Sequence, residues 1–179
     1  MIITISGKAG SGKSTIAKEV AKKLGYTHHS MGDLQRELAK ELGVTIEKLG
    51  ELEKEDRKYD DMIDDKQKQI GKRDNAVVDS RLGALFIPPA FKVFLEVDIN
   101  EAVKRRISQE KRDEEEFESE EEAKKSMINR EKVNRTRFLD LYGFDFLDMK
   151  KYNLVIDTTN LDINQIIEKI LDKIKDILS

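Results

Sequence analysis

Residues 5–15 read "ISGKAGSGKST", and Gly7, Lys8, Ala9, Gly10, Ser11, Gly12, Lys13, Ser14 and Thr15 within them have the spacing of a loop that wraps phosphate. Glycines let consecutive backbone N–H groups turn inward on phosphate oxygens, and a helix starting at the loop's end adds its positive dipole end. Lys13 then reaches the β- and γ-phosphates, and the Ser14 hydroxyl sits on Mg²⁺. The bland alternative is a glycine-rich turn with no ligand. The surroundings favour the loop, because a β-branched strand run precedes it and an amphipathic helix pattern follows.

Holding a nucleoside triphosphate is not yet a function, since kinases, switch GTPases and transport ATPases all do so. The acceptor separates them. A hydroxyl acceptor benefits from a carboxylate that takes its proton. A phosphate acceptor needs no base, but it needs cations to hold two repelling anions in line. Arginine suits that work, because its planar fork is permanently charged and grips phosphate in two places. In a doubly wound sheet the cations must gather at the C-terminal ends of the strands. Arg81 follows the "VVDS" run, and Arg36 lies one turn into the helix after the second strand. Arg130, Arg135 and Arg137 share a later helix, and Arg105 and Arg106 follow "FLEVD". Any one of these alone reads as a surface ion pair; their repetition at strand ends does not.

The elements that must position these residues alternate. "MIITIS", "YTHHS", "NAVVDS", "FKVFLEVD" and "NLVIDTT" are short strand-like runs separated by helical stretches. Ile16, Val20 and Leu24, with Ala17 and Ala21, form an apolar stripe that Gly25 is placed to end. A second stripe runs from Ile163 to Leu178, with Asp162 and Gln165 at capping-box spacing. The expected class is α/β, a five-stranded parallel sheet with helices on both faces. Residues 31–72 and 108–146 are helical and strand-poor, and the acidic run "DEEEFESEEE" reads as a solvated face or loop.

A chain of 179 residues is most simply one domain. It has 39% charged residues and 38% apolar ones, with no apolar run long enough to span a bilayer. The net charge of -3 argues against wholesale nucleic-acid binding. Zero Cys rules out disulfides and thiolate metal sites, and with no leader pattern the expected location is cytoplasmic.

The whole chain resembles the nucleoside-monophosphate kinase family, and within it the short cytidylate kinases of archaeal type. "HSMGDLQR" (Ser30, Gly32, Arg36) is similar to the element that opens the acceptor region. "VVDSR" (Asp79 to Arg81) looks like the strand-end arginine element. "NREKVNRTRF" resembles the helix after the lid, with Arg130 and Arg137 at matching positions. "YNLVIDTTNL" resembles the strand and loop closing one side of the adenine pocket. The resemblance implies a P-loop kinase fold and ATP plus CMP, or dCMP, giving ADP plus CDP, with Mg²⁺ required. It implies Lys13, Arg81, Arg130 and Arg137 as the catalytic set and an acceptor-binding insertion over residues 31–72. The lid is expected at about 108–126. Small-molecule nucleotides are the expected partners of a monomer, without nucleic acid or membrane. Asn134 and Phe138 depart from the family pattern, where a carboxylate and a Tyr are expected.

Asp60, Asp64 and Gln67 share a helical face and align with positions that could read a pyrimidine edge, alongside Ser30, Gly32, Arg36, Arg81 and Arg137 in holding the acceptor. A solvated charged face fits them equally. Asp79 fits either ordering of Mg²⁺ waters or pairing with an arginine. His28 and His29 read as structural. Rival functions are another small phosphotransferase, with AMP, UMP or a hydroxyl as acceptor, or a regulatory NTPase; a guanine-reading N-K-x-D element is not found in the sequence.

Overall fold

The first strand, β1 (Ile2–Gly7), is buried along all six residues and forms the centre of the sheet. β3 (Ala76–Asp79) and β4 (Phe91–Glu96) flank it, with β2 (Thr27–Ser30) and β5 (Leu154–Asp157) at the edges. The order is β2-β3-β1-β4-β5 and every pairing is parallel. The computed structural model describes residues 1–108, 117 and 119–178, so positions 109–116 and 118 of the lid expected at about 108–126 lie outside the described residues.

Because strand side chains alternate, the sheet has two apolar faces. On one, Ile3, Ile5, Val77, Val93 and Leu95 pack against α1 (Lys13–Leu24) and α8 (Ile163–Leu178). The expected stripes do this work: Ile16, Ala17, Val20 and Ala21 are buried from α1, and Ile166, Ile167, Ile170 and Ile174 from α8. Gly25 ends α1 in the left-handed region at φ 66°. The Asp162 N–H donates to Gln165 Oε1 at 3.0 Å, and the Gln165 N–H donates back to Asp162 Oδ1 at 2.9 Å. That is the reciprocal capping box its spacing implied.

On the other face, Ile2, Ala76 and Val78 meet the charged stretch after β2, which forms α2 (Met31–Glu41), α3 (Ile46–Glu55) and α4 (Lys58–Ile70). Leu38, Ala39, Leu49, Ile63 and Ile70 supply its apolar side. A short α5 (Gly83–Phe86) follows β3, and Pro88 and Pro89 lie in the turn between it and β4. Beyond β4 come α6 (Ile99–Ser108) and α7 (Glu120–Tyr142). Ser119 caps α7 by accepting from the Glu122 N–H, and Glu120, Glu121 and Glu122 in its first turn meet the helix's positive end.

Candidate active site

The loop between β1 and α1 is fitted tightly to its neighbours. Gly10 has φ 75°, and a Cβ there would lie 2.7 Å from the Ala102 Cβ on α6. Gly7 has φ 153°, and a Cβ would stand 2.4 Å from the Leu95 carbonyl oxygen of β4. No side chain fits either place, so the backbone itself forms the loop's surface. The Lys8 carbonyl is its internal anchor, accepting from Ser11 N–H at 3.3 Å, Ser11 Oγ at 2.8 Å and Lys13 Nζ at 3.0 Å. Gly12 leads into α1, whose first turn carries Lys13, Ser14 and Thr15, and Ala9 packs against the Val97, Ala102 and Val103 cluster. The Lys8 ammonium lies 3.7 Å from Glu96.

β1 and β3 are hydrogen-bonded neighbours, with Ile5 level with Asp79, so the loop after β1 and the "DSR" turn after β3 open side by side. Between them and the helices α2, α3, α4 and α7 lies a cleft of about 790 Å³. It is lined by Lys13, Ser14, Ser30, Gly32, Arg36, Asp60, Asp64, Arg81, Arg130 and Arg137, which are dispersed over the sequence. Asn134, Phe138 and Gln67 line it too.

At its loop end the cleft is cationic. Burial, followed by the charges of Arg81 and Arg130, pushes the Lys13 ammonium down to about 8. Burial and then Arg130 likewise hold Arg81 below its ordinary range. Among the described residues, neither Arg81 nor Arg130 makes a hydrogen bond or a close ion pair. Asp79 and Glu131 offset only part of the repulsion among these three like charges, an arrangement that suits a polyanion. Ser14 Oγ donates to Asp79 Oδ2 at 2.5 Å. Among the described residues no group of three or more His, Cys, Asp or Glu could hold a metal. An ion bound there would rely on one or two protein oxygens and the nucleotide's phosphates, which is the habit of Mg²⁺.

The far end is where the acids sit. Ser30 caps α2 by accepting from the Asp33 N–H at 3.2 Å, and Arg36 pairs with Asp33. Around Gly32 a Cβ would meet only ordinary contacts. Arg137 Nη2 lies 2.6 Å from both Asp60 oxygens, and its Nη1 lies 3.4 Å from Glu53 Oε2. Desolvation raises the pKa of Asp60 and of Glu53, against the pull of Arg137. Asp64 is pushed up to about 6, mainly by burial, and accepts a 2.7 Å hydrogen bond from the Tyr142 hydroxyl. Gln67 Oε1 accepts from Ser80 Oγ at 2.6 Å. Asp60, Asp64 and Gln67 are therefore buried polar groups of the cleft wall, and the solvated-face alternative does not hold.

Not every arginine near a strand end enters the cleft. Arg135 turns away to Asp145, 2.5 Å distant. Arg105 donates to the Thr158 and Thr159 carbonyls at 2.7 and 3.2 Å, securing the loop after β5. His28 and His29 lie in edge strand β2, and burial lowers the His29 pKa. Sequence patterns did not single out Glu53, Gln35 or Tyr142. For Glu53 one clue existed: it follows Leu49 by one turn and shares that helix's buried face.

Residues 2–160 match the cytidylate kinase-like family. A cytidylate kinase of Pyrobaculum islandicum is 34% identical over 179 residues, covering 99% of this chain and 95% of that protein. An S-adenosylmethionine-dependent nucleotide dehydratase of Lacinutrix mariniflava is 37% identical over 172 residues, covering 95% of this chain; the chain spans only 35% of that relative's length. Among solved structures, a shikimate kinase of Bacteroides thetaiotaomicron superposes with TM-score 0.66 at 17% identity, covering 99% of this chain and 98% of that one. That likeness concerns the fold, which is that of P-loop kinases. Among the described residues no helix is long and apolar enough to cross a membrane. The chain is a kinase, a phosphotransferase, and belongs to the cytidylate kinase-like family.

Proposed function

We propose that this nucleotide kinase transfers the γ-phosphoryl group of ATP to the phosphate of CMP, and of dCMP, giving ADP and CDP or dCDP. The observation that carries this reading is the state of the cleft's acids. Among the described residues, the four that line it are all engaged: Asp79 with Ser14, Asp64 with Tyr142, and Asp60 and Glu53 with Arg137. A hydroxyl acceptor would find no unengaged base, whereas a phosphate acceptor needs none and would find Arg36, Arg81, Arg130 and Arg137 along the same walls.

In this scheme the loop's N–H groups and Lys13 hold the donor's β- and γ-phosphates, and Arg81 and Arg130 stand between donor and acceptor. Their fixed charges stabilise the charge that spreads over the γ-phosphoryl oxygens during in-line transfer. Arg36 and Arg137 hold the acceptor's phosphate, with Ser30 and Gly32 beside them, while Asp60 and Asp64 face its base. The hard oxygen donors of Ser14 and Asp79 fit Mg²⁺, with Ser14 as ligand and Asp79 ordering its waters. When bound, the ion would neutralise charge on the donor's phosphates.

The test is product analysis with ATP and a panel of CMP, dCMP, UMP, AMP, GMP and shikimate. CMP and dCMP are expected to be the best acceptors. Equal use of the other monophosphates would remove the base assignment, and phosphorylation of shikimate alone would remove the phosphate-acceptor assignment.

A further inference from the structure

We propose that Glu53 is a positioning residue, which fixes the Arg137 guanidinium for the acceptor's phosphate and ties it to the helix that carries Arg36. The inference rests on the reading above, in which a nucleoside monophosphate occupies the cleft.

Glu53 lies in a helix otherwise studded with exposed charges, yet its side chain is only 6% exposed. A carboxylate withdrawn from water is unfavourable unless other groups repay its lost hydration, and its partners indicate what it is kept for. They come from other helices. Gln35 Nε2 of α2 donates to Glu53 Oε1 at 3.1 Å, and Arg137 Nη1 of α7 lies 3.4 Å from Oε2. Arg137 Nη2 also lies 3.4 Å from the Glu53 main-chain oxygen and 2.6 Å from both oxygens of Asp60 on α4.

Asp60 thus takes one terminal nitrogen, and the Glu53 carboxylate takes the other. Two anchors on separate nitrogens fix the rotation of a planar fork, which one anchor would leave free. The link also crosses the cleft instead of lying within a packed helix pair, because α3 packs on α2 and α4 while α7 packs on α6. Gln35 immediately precedes Arg36. The same carboxylate therefore ties the backbone bearing one acceptor-side arginine to the side chain of the other. In that position Glu53 sets the spacing of the phosphate clamp without touching the substrate.

Glu53→Gln keeps the shape and the Gln35 contact but removes the charge facing Arg137. Calorimetric titration with CMP, or with whichever monophosphate the wild type phosphorylates, should show acceptor binding weakened about five- to tenfold. The ATP dissociation constant and melting temperature should stay close to wild type. In an Arg137→Ala background the same substitution should have no further effect on acceptor binding, since Glu53 acts through that arginine. Gln35→Ala gives an independent route, with a smaller loss that also vanishes without Arg137. Unchanged binding in Glu53→Gln overturns the proposal, as does tighter binding, which would make Glu53 a competitor of the phosphate. A loss that persists without Arg137 overturns it too. If the wild type accepts no monophosphate at all, the functional reading fails first, and that outcome is distinct from the other three.

Discussion

The Ser14 hydroxyl lies 2.5 Å from Asp79 Oδ2, so the first turn of α1 is tied to the last residue of β3 across 65 positions of sequence. The helix that follows the glycine loop and the strand that precedes Arg81 therefore share one hydrogen bond. Asp79→Asn keeps the side chain's size but removes its charge. We expect turnover to fall about tenfold and the Mg²⁺ concentration for half-maximal activity to rise. Metal titration at saturating nucleotides checks this; an unchanged Mg²⁺ requirement would leave Asp79 with a purely structural part.

Burial, and after it the charges of Arg81 and Arg130, push Lys13 down to about 8 from an unfolded value of 10.5. Below about pH 8 the folded chain carries this charge against burial and repulsion. Between the two values the unfolded chain binds a proton that the folded chain has shed, so stability from this group rises with pH across that window. Lys13→Ala should cut turnover about 10³-fold. It should also leave the free enzyme at least as stable as wild type at pH 7, with any advantage shrinking by pH 10. Melting curves at the two pH values decide this.

Bound phosphates should restore the proton to that same ammonium. At pH 8.5, binding of ATP is expected to take up protons. Calorimetry in two buffers of different ionisation enthalpy measures the number, and Lys13→Ala should abolish the uptake. Uptake unchanged in the variant would assign it to another group.

Arg81 has no hydrogen bond or close ion-pair partner among the described residues, so its removal breaks no such bond there. Arg81→Ala should raise the KM for the acceptor monophosphate at least about tenfold, with the melting temperature unchanged or higher. Arg81→Lys should recover only part of the loss, since a point charge lacks the two-pronged grip. Steady-state kinetics against CMP at saturating ATP are the check.

Asp64 is raised to about 6 by burial, above its unfolded 3.8. From pH 3.8 to 6 the folded chain holds the proton more firmly than the unfolded one, so this group's contribution to stability falls as pH rises through that window. The penalty is complete above about 6. Asp64→Asn should therefore stabilise the protein more at pH 7 than at pH 4 while weakening acceptor use. A stability gain with intact acceptor kinetics would remove Asp64 from the acceptor site.

Much of this architecture is legible in the sequence because the signals are local. The glycine spacing before Lys13, the stripe of Ile16, Val20 and Leu24, and the Asp162–Gln165 box each act within a few residues along the chain. Their backbone geometry follows from hydrogen bonding and burial over one or two turns. The insertion was harder. Its three helices look evenly charged, and only burial separates Asp60, Asp64 and Glu53 from the exposed acids beside them.

By itself, then, the sequence determined the glycine loop, the alternation of strands and helices, and the set of arginines from which the proposed clamp is drawn. Only the tertiary structure decided which arginines face one another. Arg130, Asn134 and Arg137 line the cleft, while Arg135, in the same helix, turns to Asp145, because positions four and seven after Arg130 share its helix face and the fifth does not. Arg137 meets Asp60 and Glu53 across separations of 77 and 84 residues. Such pairings carry no local signal, since strand order and helix packing alone bring those groups within reach. Burial in the resulting cleft then turns ordinary surface charges into a site.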